Sequence, residues 1–173
     1  MEYYDVAYET CGTDSKLEKR LGYERIFSSK EAKVVDGNSY KGSEVEDSLF
    51  ISSPRANIMA ALKASPKAVV FPDSRIDRKV IKVVAEREVA LCIPIGDLTS
   101  SYGLQRSRSL YMTSKLFDYA RSKKIDVSFV TLARDRTQLC SYIQLIEMAK
   151  LLGASEEYAR ESISKINKSM VSR

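Results

Sequence analysis

Nine residues stand out by type and placement as able to do chemistry: Arg55, Arg75, Arg78, Lys79, Tyr102, Arg106, Arg108, Arg134 and Arg136. That chemistry is recognition of phosphate. A guanidinium makes two parallel charge-assisted hydrogen bonds to phosphate oxygens and keeps its charge at any physiological pH. Tyr102 offers a flat face on which an unpaired base can stack. Each arginine taken singly reads equally well as a solvated surface charge, with Asp73, Asp77, Asp97 and Asp135 close by in the chain. Their shared position, each following a strand, favours a common task, and RNA is the ligand it suggests.

Other chemistry is poorly served. The chain of 173 residues has no histidine, which removes the commonest general base, the commonest zinc ligand and every Ser-His or Cys-His pair. Cys11, Cys92 and Cys140 are odd in number and far apart, so they suggest reduced core thiols and neither a disulfide framework nor a zinc knuckle. There is no Gly-x-Gly-x-x-Gly, Walker loop or nucleophile elbow. Asp73, Asp77 and Asp97 would have to converge to hold Mg²⁺, yet Asp73 reads as a helix cap and Asp97 as a turn acid. No catalytic residue, metal or cofactor is expected. Lysine and arginine exceed the acids by five, an excess that also serves solubility. A second basic group, Arg121, Lys123 and Lys124, falls at a helix end, where cations complement the dipole.

The elements that must position these residues read as alternating strands and helices. Tyr3–Tyr8 and Tyr23–Phe27 are strands flanking a helical turn over Asp14–Leu21 that Gly22 closes. Residues 28–47 are polar, with turn signals at Asp36-Gly37-Asn38 and Lys41-Gly42, and read as a loop or hairpin. Leu49–Ile51 is a buried strand, followed by a helix capped by Ser53 with Pro54 in its first turn. Ala68–Phe71 is the next strand, and Asp73 or Ser74 starts a helix carrying Ile76, Val80, Val83 and Val84 on one face. Val89–Ile93 precedes a loop to Gly103 and a helix with Met112, Leu116 and Tyr119 on one stripe. Ile125–Leu132 is the last strand. Helices over Thr137–Leu152, ended by Gly153, and from Ser155 to about Met170 finish the chain.

Near-continuous apolar strands alternating with helices call for parallel strands covered by helices. A TIM-barrel-like (β/α) barrel fits best, incomplete or with missing units, because about six strands can be counted against eight in a full barrel. An open doubly wound sheet is the alternative. The length suits a single domain over residues 1–173. Its first residues resemble no targeting segment and no run is long enough to span a membrane, so a cytoplasmic location is expected. In either fold the loops after the strands lie on one face. Arg55, Arg75, Arg106, Arg108, Arg134 and Arg136 would then share one rim, which Arg78 and Lys79 extend.

The run Val83-Val84-Ala85-Glu86-Arg87-Glu88-Val89-Ala90-Leu91-Cys92-Ile93, the loop to Arg106-Ser107-Arg108, then Ile125–Ala133 and Leu145–Gly153 together resemble the protein component 3 family of ribonuclease P. These are the archaeal relatives of a eukaryotic ribonuclease P subunit, and the similarity runs from about Leu49 to the carboxyl end. The resemblance implies a TIM-barrel-like fold related to the polymerase and histidinol phosphatase superfamily without its metal site. It implies a part in 5′ maturation of precursor tRNA, in which the RNA subunit is the catalyst. It also implies ribonuclease P RNA and a small α/β protein subunit as partners, with precursor tRNA met indirectly. Two other readings compete: a metal-dependent phosphoesterase using carboxylates, and a barrel that only scaffolds protein contacts.

Overall fold

The computed structural model describes residues 1–37, 48–51, 62–63, 66–71 and 77–171. Seven strands occur among them: β1 (Tyr4–Ala7), β2 (Arg25–Ser28), β3 (Val34–Asp36), β4 (Leu49–Ile51), β5 (Ala68–Val70), β6 (Ala90–Pro94) and β7 (Val127–Val130). The helices are α1 (Ser15–Leu21), α2 (Arg78–Glu86), α3 (Gly96–Ser100), α4 (Gly103–Ser122), α5 (Tyr142–Leu151), α6 (Glu156–Glu161) and α7 (Asn167–Val171). Every strand pair is parallel. β1 pairs with β2, and β3-β4-β5-β6-β7 form a five-stranded sheet.

The two sheets meet at β1 and β7. Leu132 N donates to Val6 O at 2.9 Å and Tyr8 N to Ala133 O at 2.8 Å, and Ala7 and Ala133 form a parallel bridge. Among the described residues no ladder joins β2 to β3. Side chains nevertheless unite all seven strands, because Val6, Phe27, Val34, Leu49, Val70, Cys92 and Val130, from β1 to β7 in order, pack into one inner cluster. The alternate residues Ile26, Val69, Leu91, Ile93, Val127 and Phe129 face outward against Val80, Leu116, Phe117, Leu145 and Ile163 of the helical layer. Burial on both sides is why these strands lack polar alternation.

Below the meeting point β1 and β7 separate, and side chains satisfy the exposed edge of β7. Tyr158 Oη accepts from Val127 N at 2.8 Å and donates to Val127 O at 3.2 Å. Ser162 Oγ accepts from Phe129 N at 3.1 Å. Asn167 Nδ2 then donates both to Phe129 O at 2.9 Å and to Tyr4 O at 2.7 Å. Two strand residues advance about 6.6 Å and four helical residues about 6 Å, so Tyr158 and Ser162 match Val127 and Phe129. The next α-helical position in that row is Ile166, which has no polar group to offer. A π-helical turn over Ser162–Ile166 inserts one residue and puts Asn167 there.

Several boundaries differ from the sequence expectations. The polar stretch 28–47, expected as a loop or hairpin, contains β3, which runs parallel to β4 with Val34 opposite Leu49. Seven strands are therefore present among the described residues. The expected helix over Thr137–Leu152 starts at Tyr142, because Ser141 and Gln144 form a reciprocal capping box there, while Asp135 caps a separate 3₁₀ turn over Arg136–Gln138. Asp77, not Asp73 or Ser74, caps α2. Of the helix expected after Ser53 only Leu62 and Lys63 are among the described residues, Leu62 being fully buried; Asp73 and Ser74 lie outside them. Gly22 closes α1 as expected, with φ +81°; a Cβ there would also fall 2.4 Å from the Tyr142 ring.

All three cysteines are buried thiols. The Cys11 thiol donates to Ala133 O at 2.8 Å, and burial pushes Cys11, Cys92 and Cys140 up from the ordinary thiol range, which suppresses the reactive thiolate.

Candidate nucleic-acid interface

The carboxyl ends of the parallel strands define one face, and the residues that follow them supply its chemistry. Arg55 and Arg75 lie outside the described residues. Arg78 and Lys79 are the first two residues of α2 and are exposed; Asp77 Oδ1 accepts from Lys79 N at 3.0 Å and Val80 N at 3.5 Å. The acid is thus occupied as a cap, and its two neighbours project from the helix start.

Beyond β6 the short helix α3 turns the chain, with Ser100 Oγ donating to Gly96 O at 2.5 Å and Thr99 Oγ1 to the same oxygen at 2.9 Å. Tyr102 then occupies the N-cap position of α4 in extended conformation and makes no side-chain cap bond. Gly103 takes φ +56°, with nothing within 4 Å of where a Cβ would stand. This turn leaves Tyr102 81% exposed. Arg106 and Arg108 fall in the first turns of α4, half-buried and exposed respectively. Neither forms an ion pair or a side-chain hydrogen bond with another described residue. Thr113, Leu116, Phe117 and Ala120 form the buried face of α4; Met112 and Tyr119, expected on that stripe, are half-buried beside it.

Arg134 and Arg136 follow β7 and are exposed, but the structure gives them different surroundings. The Arg134 guanidinium lies 5.8 Å from the centre of the Tyr8 ring, and Thr10 Oγ1 donates to Arg134 O. Arg136 is a brace: Nε donates to Cys11 O at 3.0 Å and Nη2 to Gly12 O at 2.7 Å. Two of its donors are spent on holding the loop after β1. Beyond the carboxyl ends of the strands Arg78, Lys79, Tyr102, Arg108 and Arg134 are exposed and Arg106 is half-buried, while Arg136 is committed to the scaffold.

At the opposite end of β7 lies the second basic group. The Arg121 guanidinium sits 4.0 Å from the Tyr158 ring centre and Lys123 Nζ 5.8 Å from that of Tyr119. Lys124 turns the chain with φ +58°. No set of three His, Cys, Asp or Glu side chains gathers as a metal site among the described residues; Asp77 caps α2 and Asp97 lies in the first turn of α3.

Sequence reading missed Asp5. It is fully buried, accepts from Thr131 N at 2.7 Å and Thr131 Oγ1 at 2.6 Å, and is pushed up to about 6 by burial. It also missed Leu104 and Tyr111, 90% and 62% exposed on α4. The signal for the latter was available, since Leu104, Arg108, Tyr111 and Lys115 recur at helical spacing away from the core stripe.

Fold and site together define a parallel (β/α) protein with an arginine- and tyrosine-bearing rim. Against known proteins, the chain is 26% identical over 159 residues to ribonuclease P protein component 3 of Methanosarcina acetivorans, covering 92% of this chain and 62% of that protein. The similarity bears out the family resemblance carried by Val83–Ile93 and the later segments. The chain spans about three-fifths of the length of that relative. Among solved structures it matches a chain in the cryo-EM structure of archaeal ribonuclease P with mature tRNA, with TM-score 0.75 and 16% identity over 96% of this chain and 90% of the other. It also matches Aspergillus niger ochratoxinase, with TM-score 0.57 and 12% identity over 98% of this chain and 54% of the other. These structural likenesses concern the fold. No family model matches. No helix among the described residues is long and apolar enough to cross a membrane.

Proposed function

We propose that this chain is a protein subunit of ribonuclease P that binds the RNA subunit through its rim and supports 5′ maturation of precursor tRNA, the RNA being the catalyst. The carrying observation is the pair Arg106 and Arg108, displayed at the start of α4 with no described partner for their charge. A desolvated guanidinium–phosphate contact gives such residues a use that the fold does not. Similarity to protein component 3 over 92% of this chain supports the assignment.

In this reading the seven strands form a TIM-barrel-like barrel with a missing unit. Inner-cluster residues from every strand support closure, and the helical run from Glu156 to Val171 lines the β1–β7 gap. Arg55, Arg75, Arg78, Lys79, Tyr102, Arg106, Arg108 and Arg134 contact RNA. Arg136 contributes mainly by holding the loop at Cys11 and Gly12. A small α/β protein subunit of the same particle is the direct protein partner, precursor tRNA is met indirectly, and the location is the cytoplasm of an archaeon.

Co-purification from cell extract and sequencing of the bound RNA tests the reading. Recovery of ribonuclease P RNA is the expected result. Recovery of the chain without RNA but with a protein partner would favour a scaffold instead. Metal-dependent phosphoester hydrolysis by the repurified isolated chain would favour a phosphoesterase.

A further inference from the structure

We propose that the outer face of α4 holds an unpaired stretch of RNA, with a base stacked on Tyr111 and phosphates on Arg108 and Lys115. The inference rests on the RNA-binding reading of the rim and specifies the form of RNA taken.

Leu104 and Tyr111 are 90% and 62% exposed. The core does not need them, because Thr113, Leu116, Phe117 and Ala120 already bury the inward face of α4. Leu104, Arg108, Tyr111 and Lys115 stand at i, i+4, i+7 and i+11, which makes one stripe on the helix. All four are exposed. Lys115 Nζ lies 5.8 Å from the Tyr111 ring centre, so a cation accompanies the ring that would take a base. From Leu104 to Lys115 the stripe is about 16 Å long, enough for a few nucleotides.

Charge selects the occupant. On the stripe the charges are Arg108 and Lys115, both positive, with the nearest acid of α4, Asp118, three residues beyond Lys115, so the complement is anionic. A protein partner of the ordinary kind would want an uncharged apolar centre, whereas here Arg108 and Lys115 flank the Tyr111 ring, and lysine is depleted in such interfaces. An A-form duplex keeps its bases stacked on one another and would engage the cations alone. Only an unpaired strand uses the ring and the charges together.

The chain contains no tryptophan, so Tyr111→Trp places one indole reporter on the face. The full-length variant is titrated with oligouridine of about twelve nucleotides and with a blunt RNA duplex of equal length, at physiological salt. Oligouridine is expected to quench the indole and the duplex to leave it bright. Tyr111→Ala is expected to weaken oligouridine binding about tenfold and Tyr111→Phe to retain it, both with an unchanged circular dichroism spectrum. Equal binding of both RNAs, with a bright indole and no effect of Tyr111→Ala, would overturn the proposal and leave a rim that grips phosphate alone. Failure of the wild-type chain to bind either RNA would overturn this proposal and the rim reading together. A blue-shifted, unquenched indole in the reconstituted particle would place a protein on the face and also overturn it.

Discussion

Asp5 holds Thr131 through both carboxylate oxygens, taking the backbone N–H at 2.7 Å and the hydroxyl at 2.6 Å. The pair fastens β1 to the end of β7 just below the point where their backbones pair directly. Burial without a cation pushes Asp5 up to about 6 from 3.8, so the folded state prefers the protonated acid. Its contribution to stability is then complete below the unfolded value and is lost as pH rises through about 6. Asp5→Asn removes this titration while keeping an acceptor for Thr131 N. The stability of Asp5→Asn relative to wild type should therefore rise between pH 4.5 and pH 7.5, by about 2 kcal/mol. Denaturant unfolding at several pH values reads the difference, and a pH-independent offset would refute the titration.

Asn167 should be among the least replaceable side chains. Its amide donates to Tyr4 O and Phe129 O, and its Oδ1 accepts from Ser128 Oγ at 2.5 Å. Asn167→Ala leaves three buried groups unpaired, at about 1–3 kcal/mol for each that water cannot reach. A loss of several kcal/mol in chemical denaturation is expected, with faster amide exchange at Val127 and Phe129. Asn167→Ala unfolding at the wild-type midpoint would show that the π turn has no such role.

The two arginines at Cys11 and on α4 should separate by readout. Arg136→Ala removes the bonds to Cys11 O and Gly12 O and should lower stability by about 1 kcal/mol, an exposed hydrogen-bonded brace being worth no more. Arg108→Ala should leave the thermal midpoint unchanged. Equal midpoints for both variants would contradict the bracing role.

What was legible in the sequence follows from where the determining contacts lie. Ala68–Val70, Leu91–Ile93 and Val127–Val130 declared parallel strands because burial on both faces leaves a local mark, an unbroken apolar run. The placement of Arg106 and Arg108 was legible too, since it needs only the order β6, turn, helix. β3 was not: Val34-Val35-Asp36 lies in a polar stretch, and its pairing with Leu49–Ile51 makes it a strand by tertiary contact rather than propensity. Asp5 meets Thr131 across 126 residues, and Arg136 meets Cys11 across 125. No spacing rule reaches that far, so a buried carboxylate read as part of a strand and a structural arginine read as a ligand.

The most direct measurement is the salt dependence of association between the chain and ribonuclease P RNA, for wild type and for Arg106→Ala combined with Arg108→Ala. Each guanidinium–phosphate contact releases counterions, so removing two should weaken binding and make the slope of log K against log salt shallower by about 1.5. Restoring both positions as Lys should recover the slope but only part of the affinity, because the charge returns without the fork. Lys63→Ala with Lys67→Ala, near the amino end of β5, should leave the slope as in wild type. A double arginine variant that binds with the wild-type slope and affinity would contradict the claim that the rim holds RNA.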